Sequence, residues 1–309
     1  VIRRALAAAA TTTALLSLTL LSACGSGSTS TGATTTGGDG PVRVVASTDV
    51  YGSIVSAIGG SDVQVTSIIT DPDRDPHSYE ADAQNQLALS RAALVVENGA
   101  GYDDFMETLL KAREVPGRTV IDVADVSGYD QKPSDGEFNE HLWYDFPTMV
   151  KLTSRISTEL AAKAPADRAT FEQNARAFTA KLERLEAREA TIKKAHDGAG
   201  VAITEPVPLY LLEACGLDNK TPEAFSEAIE EERDVAPAVL RQTLALFSGR
   251  QVKLLAYNAQ TTGPQTEQVL AAAKAGGVAV VPVTETLPEG QDYLGWMGAN
   301  LDAVERALG

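Results

Sequence analysis

Apolar residues fall along this chain in two rhythms. From residue 42 onward, short and nearly unbroken apolar runs alternate with longer stretches in which apolar positions recur every three or four residues. The runs at 42–46, 63–69, 93–96 and 119–123 are too short and too continuous for amphipathic helices, and they predict buried strands. Between them, residues 51–58, 84–91 and 105–112 predict helices, the first closed by Gly59-Gly60. Strands alternating with helices predict a parallel α/β sheet.

Residues 166–196 change the rhythm. Phe171, Ala175, Phe178, Leu182, Leu185 and Ile192 share one helical face, charged residues fill the others, and no Gly or Pro interrupts the stretch. A helix of this length would be about 45 Å long, a strut rather than a surface element. After Asp197-Gly198-Ala199-Gly200 the first rhythm returns. Strands are expected at 201–203, 252–257 and 278–283, and helices up to Cys215, at 266–275 and at 292–308. The reading is of two parallel-sheet α/β lobes, 42–165 and 198–309, joined by one long rigid helix at 166–197. A ligand cleft is expected between the lobes, at the strand ends.

Residues 1–23 hold two arginines, no acid and an apolar run at 14–21, the layout of a secretory signal. They end on Leu21-Ser22-Ala23-Cys24, small residues before a cysteine, similar to the bacterial lipobox in which that cysteine is lipidated and becomes the mature N-terminus. Residues 24–41 are then the lipidated cysteine and a Gly/Ser/Thr tether. With Cys24 so occupied, Cys215 has no disulfide partner and reads as a small buried hydrophobe. Forty-two acidic residues against 26 Lys and Arg give a formal charge of −16, which argues against nucleic acid as a partner and favours cations.

No phosphate-binding loop, nucleophile elbow, dinucleotide fingerprint or paired-cysteine motif is present, so covalent catalysis has no support. The chain has only three histidines. His77 and His141 fall in loops where a cleft would place ligands, whereas His196 ends the long helix and suits its dipole. In the second half Glu205 and Glu285 follow expected strands. Each of these four taken alone reads equally well as a structural or surface residue. Together they offer two imidazoles and two carboxylates, a donor set acceptable to Mn²⁺, Fe²⁺ or Zn²⁺. Four protein donors leave no open position for water activation, so capture is favoured over hydrolysis. Because imidazole must be neutral to ligate, metal affinity is expected to fall below about pH 6.

The chain resembles the metal-specific solute-binding lipoproteins of bacterial ABC transporters, the zinc/manganese group. The resemblance rests on Asp75-Pro76-His77-Ser78-Tyr79-Glu80, on residues 97–105 (Glu-Asn-Gly-Ala-Gly-Tyr-Asp-Asp-Phe), on His141-Leu142-Trp143-Tyr144-Asp145, on Thr204-Glu205-Pro206 and on Tyr257-Asn258-Ala259-Gln260-Thr261. It implies that His77, His141, Glu205 and Glu285 bind one divalent metal as transported cargo, Zn or Mn with Fe possible. It also implies an ABC permease and ATPase as partners, and a monomer held by its N-terminal lipid on the extracytoplasmic face of the membrane. Glu at the third position is similar to the manganese-type members. Three departures stand out: Asn139-Glu140 where the family has Asp-Pro, Glu285 where it has Asp, and no histidine in 124–140 where many zinc members carry a His-rich loop. Asp145 and Asn258 read either as groups orienting a ligand or as cap and turn residues. The rival readings are a siderophore or chelate receptor of the same architecture, a metal-dependent hydrolase and a surface adhesin.

Overall fold

The computed structural model describes residues 40–309 apart from 73, 75 and 135. The expected signal peptide, Cys24 and the tether as far as residue 39 lie outside the described residues. The first half runs β1 (Val42–Thr48), α1 (Asp49–Gly59), β2 (Val63–Ile69), α2 (Ala83–Leu89), β3 (Leu94–Glu97), α3 (Asp104–Ala112), β4 (Thr119–Asp122), α4 (Val123–Ser127) and α5 (Phe146–Lys163). The long helix α6 (Arg168–His196) follows. The second half runs β5 (Gly200–Ile203), α7 (Leu209–Ala214), β6 (Asp218–Asn219), α8 (Glu223–Glu230), α9 (Pro237–Ser248), β7 (Leu254–Asn258), α10 (Pro264–Ala275), β8 (Ala279–Val283) and α11 (Tyr293–Leu308).

The strands form two four-stranded parallel sheets in the same order, β2-β1-β3-β4 and β6-β5-β7-β8. All strand C-termini of a sheet therefore point the same way, and each sheet reverses its winding beside its first strand. That is where open α/β sheets place ligands. The two-lobe α/β architecture read from the apolar rhythm is the observed one.

Helix α6 presents Phe171, Ala175, Phe178, Leu182, Leu185 and Ile192 inward, packing against α1 and α5 on one side and α7 and α11 on the other. Its apolar face belongs to one continuous core that runs from Val44 and Ile54 through Phe178 and Leu182 to Leu254 and Trp296. The lobes thus share buried surface along the helix. Leu182→Ala is expected to lower unfolding free energy by about 2–5 kcal/mol, since the site is fully buried and rigid elements surround it. Denaturant unfolding of the metal-free protein measures this.

Helix α5 begins at Phe146, with Pro147 in its first turn and Asp145 as its N-cap, accepting from the Thr148 N–H at 3.0 Å. The sequence reading assigned nothing in 217–251, where the structure has β6, α8 and α9; β6 has only two residues, too few to show a period. Cys215 is fully buried at the end of α7, and burial pushes its thiol up to about 12. It behaves as a packed hydrophobe.

Candidate metal centre

His77 lies in the loop after β2, His141 in the turn before α5, Glu205 just after β5 and Glu285 just after β8. All four follow the C-terminal ends of their sheets. The loop after β3 adds Tyr102, whose ring meets His77 edge-on at 5.1 Å and Trp143 at 4.8 Å. Gly99 and Gly101 turn that loop with φ of 76° and 92°, and a Cβ on Gly99 would overlap the Asp122 carboxylate. Asp103 holds the loop closed by accepting from the Asn98 and Gly99 N–H groups at 2.7 and 2.9 Å.

His141 is completely buried. Its Nδ1 lies 2.7 Å from Asn139 Oδ1, which also accepts from the His141 backbone N–H at 3.1 Å. An amide oxygen can only accept, so Nδ1 carries the hydrogen and Nε2 of the neutral ring keeps a lone pair facing the cleft. Asn139 Nδ2 donates to the Pro206 carbonyl at 3.2 Å in the second lobe, and Tyr210 donates to the Asn139 carbonyl at 2.8 Å. One asparagine therefore fixes the imidazole and ties it to the segment carrying Glu205. An aspartate there would accept but could not donate to Pro206.

The Nε2 atoms of His77 and His141 each lie 3.3 Å from one oxygen, Oε1 of Glu230 at the end of α8. Glu140 Oε1 lies 3.7 Å from His77 Nε2, and one donor atom from each of these four residues falls within 4.8 Å of the others. Glu205 and Glu285 are not in that tightest group, but they line a cavity of about 590 Å³ together with His77, Glu230, Arg74 and Gln260. Glu205 is buried, and its Oε2 has no hydrogen-bond partner among the described residues. Glu285 is held at both oxygens, by Asn258 Nδ2 at 2.8 Å and by the Tyr102 hydroxyl at 3.4 Å. Gln260 accepts from the Glu285 backbone N–H at 2.5 Å and donates to the Pro72 carbonyl across the lobes at 2.5 Å.

Of the two readings open for Asp145 and Asn258, Asp145 takes the cap, its carboxylate capping α5 and accepting from the Tyr129 hydroxyl at 3.2 Å, while Asn258 donates to Glu285 at 2.8 Å. Glu230 and Glu140 were not singled out in the sequence. Glu230 sits in the acidic run Glu230-Glu231-Glu232, which reads as a solvated surface, and nothing in its spacing separates it from its neighbours.

Electrostatics set how the site meets a cation. Burial depresses the imidazolium of His77 and of His141, but Glu230 and Glu140 outweigh it and raise both to about 9. Burial alone would raise Glu230; the two imidazoliums reverse this and lower it to about 2. Burial pushes Glu205 up to about 8, with Glu230 and Glu285 adding to the effect, and it also raises Glu285. Pairing with carboxylate in the metal-free protein thus moves the onset of proton competition upward from the pH near 6 expected for free imidazoles.

Asn139→Ala is expected to weaken metal binding about 10–100-fold by releasing the imidazole, whereas Asn139→Asp keeps the acceptor and stays closer to wild type. Competition titration against a chromophoric chelator compares the two.

Residues 44–307 match the ZnuA family, zinc-uptake complex component A, periplasmic. The chain belongs to this family. Among family relatives, the iron ABC transporter substrate-binding lipoprotein MtsA of Streptococcus pyogenes serotype M1 is 27% identical over 248 residues, covering 74% of this chain and 78% of MtsA. The manganese ABC transporter substrate-binding lipoprotein PsaA of Streptococcus pneumoniae serotype 4 is 24% identical over 306 residues, covering 95% and 96% of the two chains. The periplasmic zinc-binding protein TroA of Treponema pallidum shares the fold with a TM-score of 0.74 at 19% identity, covering 87% of this chain and 100% of its own.

Proposed function

We propose that this protein captures a divalent transition metal, manganese or zinc with iron(II) as a third candidate, outside the cytoplasmic membrane and passes it to an ABC permease and ATPase for import. One observation carries the reading: two imidazole Nε2 atoms converge on a single carboxylate oxygen at 3.3 Å, inside a cavity walled by further buried carboxylates. His77, His141, Glu205 and Glu285 are the proposed ligands, with Asn139 and Asn258 orienting them. Membership of the family and the names of its relatives support the cargo class and the transporter.

A neighbouring cavity of about 580 Å³ is lined by His77, Glu137, Glu140, Glu223, Glu227 and Glu230, so cations meet a strongly negative approach to the site. The same acidity disfavours the rival chelate receptor, which has to grip an anionic complex with cationic and aromatic groups. We read residues 42–165, 166–197 and 198–309 as lobe, linking helix and lobe. The continuous core and the bonds between lobes restrict loading and release to the site loops. Lipid at Cys24 would anchor a monomer through the tether on the extracytoplasmic face.

The test is native mass spectrometry of the full-length metal-free protein titrated separately with Mn²⁺, Fe²⁺ and Zn²⁺, beside metal uptake by cells lacking the gene. One tightly held ion per chain together with impaired uptake is expected. Absence of stoichiometric metal would contradict the reading.

A further inference from the structure

We propose that Glu230 is a direct ligand of the captured ion, a third carboxylate delivered by the last turn of α8, and that its oxygen biases the site towards manganese(II) or iron(II) over zinc. This rests on the capture reading above and adds a donor that the sequence did not single out.

The spacing is the first argument. Metal–nitrogen and metal–oxygen bonds of about 2.0–2.2 Å put adjacent ligand atoms roughly 3.0 Å apart in an octahedral shell and roughly 3.4 Å apart in a tetrahedral one. Glu230 Oε1 stands 3.3 Å from both imidazole Nε2 atoms, between those two edge lengths, so an ion can take the place of the protons that pair them in the metal-free protein. Neither Glu205 nor Glu285 belongs to the group of mutually close donors; Glu230 and Glu140 do, and Glu230 approaches His77 more closely, at 3.3 Å against 3.7 Å.

The second argument is satisfaction. Glu230 Oε2 is buried and has no hydrogen-bond partner among the described residues, and a buried carboxylate oxygen left in that state is costly unless a cation meets it. The third is delivery. Phe225, Ala228 and Ile229 bury the inner face of α8 in the second-lobe core, while the chain turns away immediately after it, with Glu232 at φ 51°. The carboxylate is thus presented from an anchored helix rather than from a free loop.

The chemistry follows from donor number. Zinc is satisfied by four tetrahedral ligands, whereas manganese(II) and iron(II) accept more donors and manganese favours carboxylate oxygen. With His77, His141, Glu205 and Glu285, Glu230 makes five donor residues, a surplus for zinc and a gain for the larger-shell ions.

Competition titrations with Mn²⁺ and Zn²⁺ on the full-length wild-type protein, Glu230→Gln and Glu230→Ala test this, alongside the visible absorption of the Co²⁺-loaded proteins, which reports coordination number. Melting of the metal-free variants checks that each is folded, and the isosteric glutamine guards against local unfolding. Glu230→Ala is expected to weaken Mn²⁺ binding by about 10²–10³-fold and Zn²⁺ by about tenfold or less, with the glutamine variant between. The Co²⁺ bands should intensify as the shell approaches four-coordinate. Unchanged Mn²⁺ affinity and an unchanged Co²⁺ spectrum in both variants would overturn the assignment while leaving capture intact. Tighter binding of both metals would overturn it too, marking Glu230 as an obstacle. A wild-type protein that binds no metal would overturn capture and Glu230 together.

Discussion

Replacing His141 with alanine is expected to weaken metal binding by about 10²–10³-fold. A four-ligand zinc site is worth about 10–16 kcal/mol, so one ligand accounts for about 3–4 kcal/mol, which converts to that loss. His141 is fully buried and pre-set by Asn139, so its Nε2 is aimed at the site before any ion arrives. His77 is the more accessible of the pair, its side chain 30% exposed, and its loss leaves room for a water to take its place. His77→Ala is therefore expected to cost less. The His141 ring also packs between Tyr102 and Trp143, so the variant loses some core contact. Melting of the metal-free proteins separates that packing loss from the affinity loss, because only the latter scales with added metal. Equal affinity in wild type and His141→Ala would remove this histidine from the site.

The second large effect is that of pH. Both histidines titrate near 9 in the metal-free protein, so at neutral pH an arriving ion must displace a proton from each. Affinity is therefore expected to rise by about 10²-fold per pH unit, or about 10⁴-fold from pH 6 to pH 8. Glu205, raised to about 8, adds a third displaced proton over most of that range, so the rise is steeper than the two histidines alone give.

The stability of the metal-free fold runs the other way. A histidine raised from 6.5 to about 9 on folding contributes stability that is complete below pH 6.5 and lost as pH rises through 9. Glu230, lowered to about 2, contributes stability above its ordinary value that is lost only in acid, from about pH 4.5 down to 2. Raising the pH from 6.5 to 9 should thus lower the melting temperature of the metal-free protein and raise the increment given by metal. Calorimetric titration in two buffers of different ionisation enthalpy counts the released protons. Affinity independent of pH above 6.5 would show that the histidines enter the site already neutral.

Much of this was legible in the residues. The apolar runs at 42–46 and 93–96 read as buried strands, and the one-sided stripe from Phe171 to Ile192 as a long packed helix, because both patterns are local and repeat. His77 and His141 stood out by rarity and by their loops. The carboxylates were harder. Glu205 and Glu285 were read from their place after a strand, and Asp145 was equally consistent with the cap it forms. Glu230 was invisible for a physical reason: α8 brings one member of an acidic run beside the two histidines, and no spacing in the run marks which member that is. The same holds for Asn139. Its departure from the family pattern was plain, but its paired hydrogen bonds, accepting from His141 and donating to Pro206, need both lobes in place.

Anomalous diffraction from crystals of the manganese- or zinc-loaded protein tests the central claim most directly. One peak is expected per chain, about 2.0–2.2 Å from the Nε2 atoms of His77 and His141, with carboxylate oxygens of Glu205, Glu230 and Glu285 completing the shell. A peak bound elsewhere on the chain, or no ordered ion at these histidines under saturating metal, would contradict it.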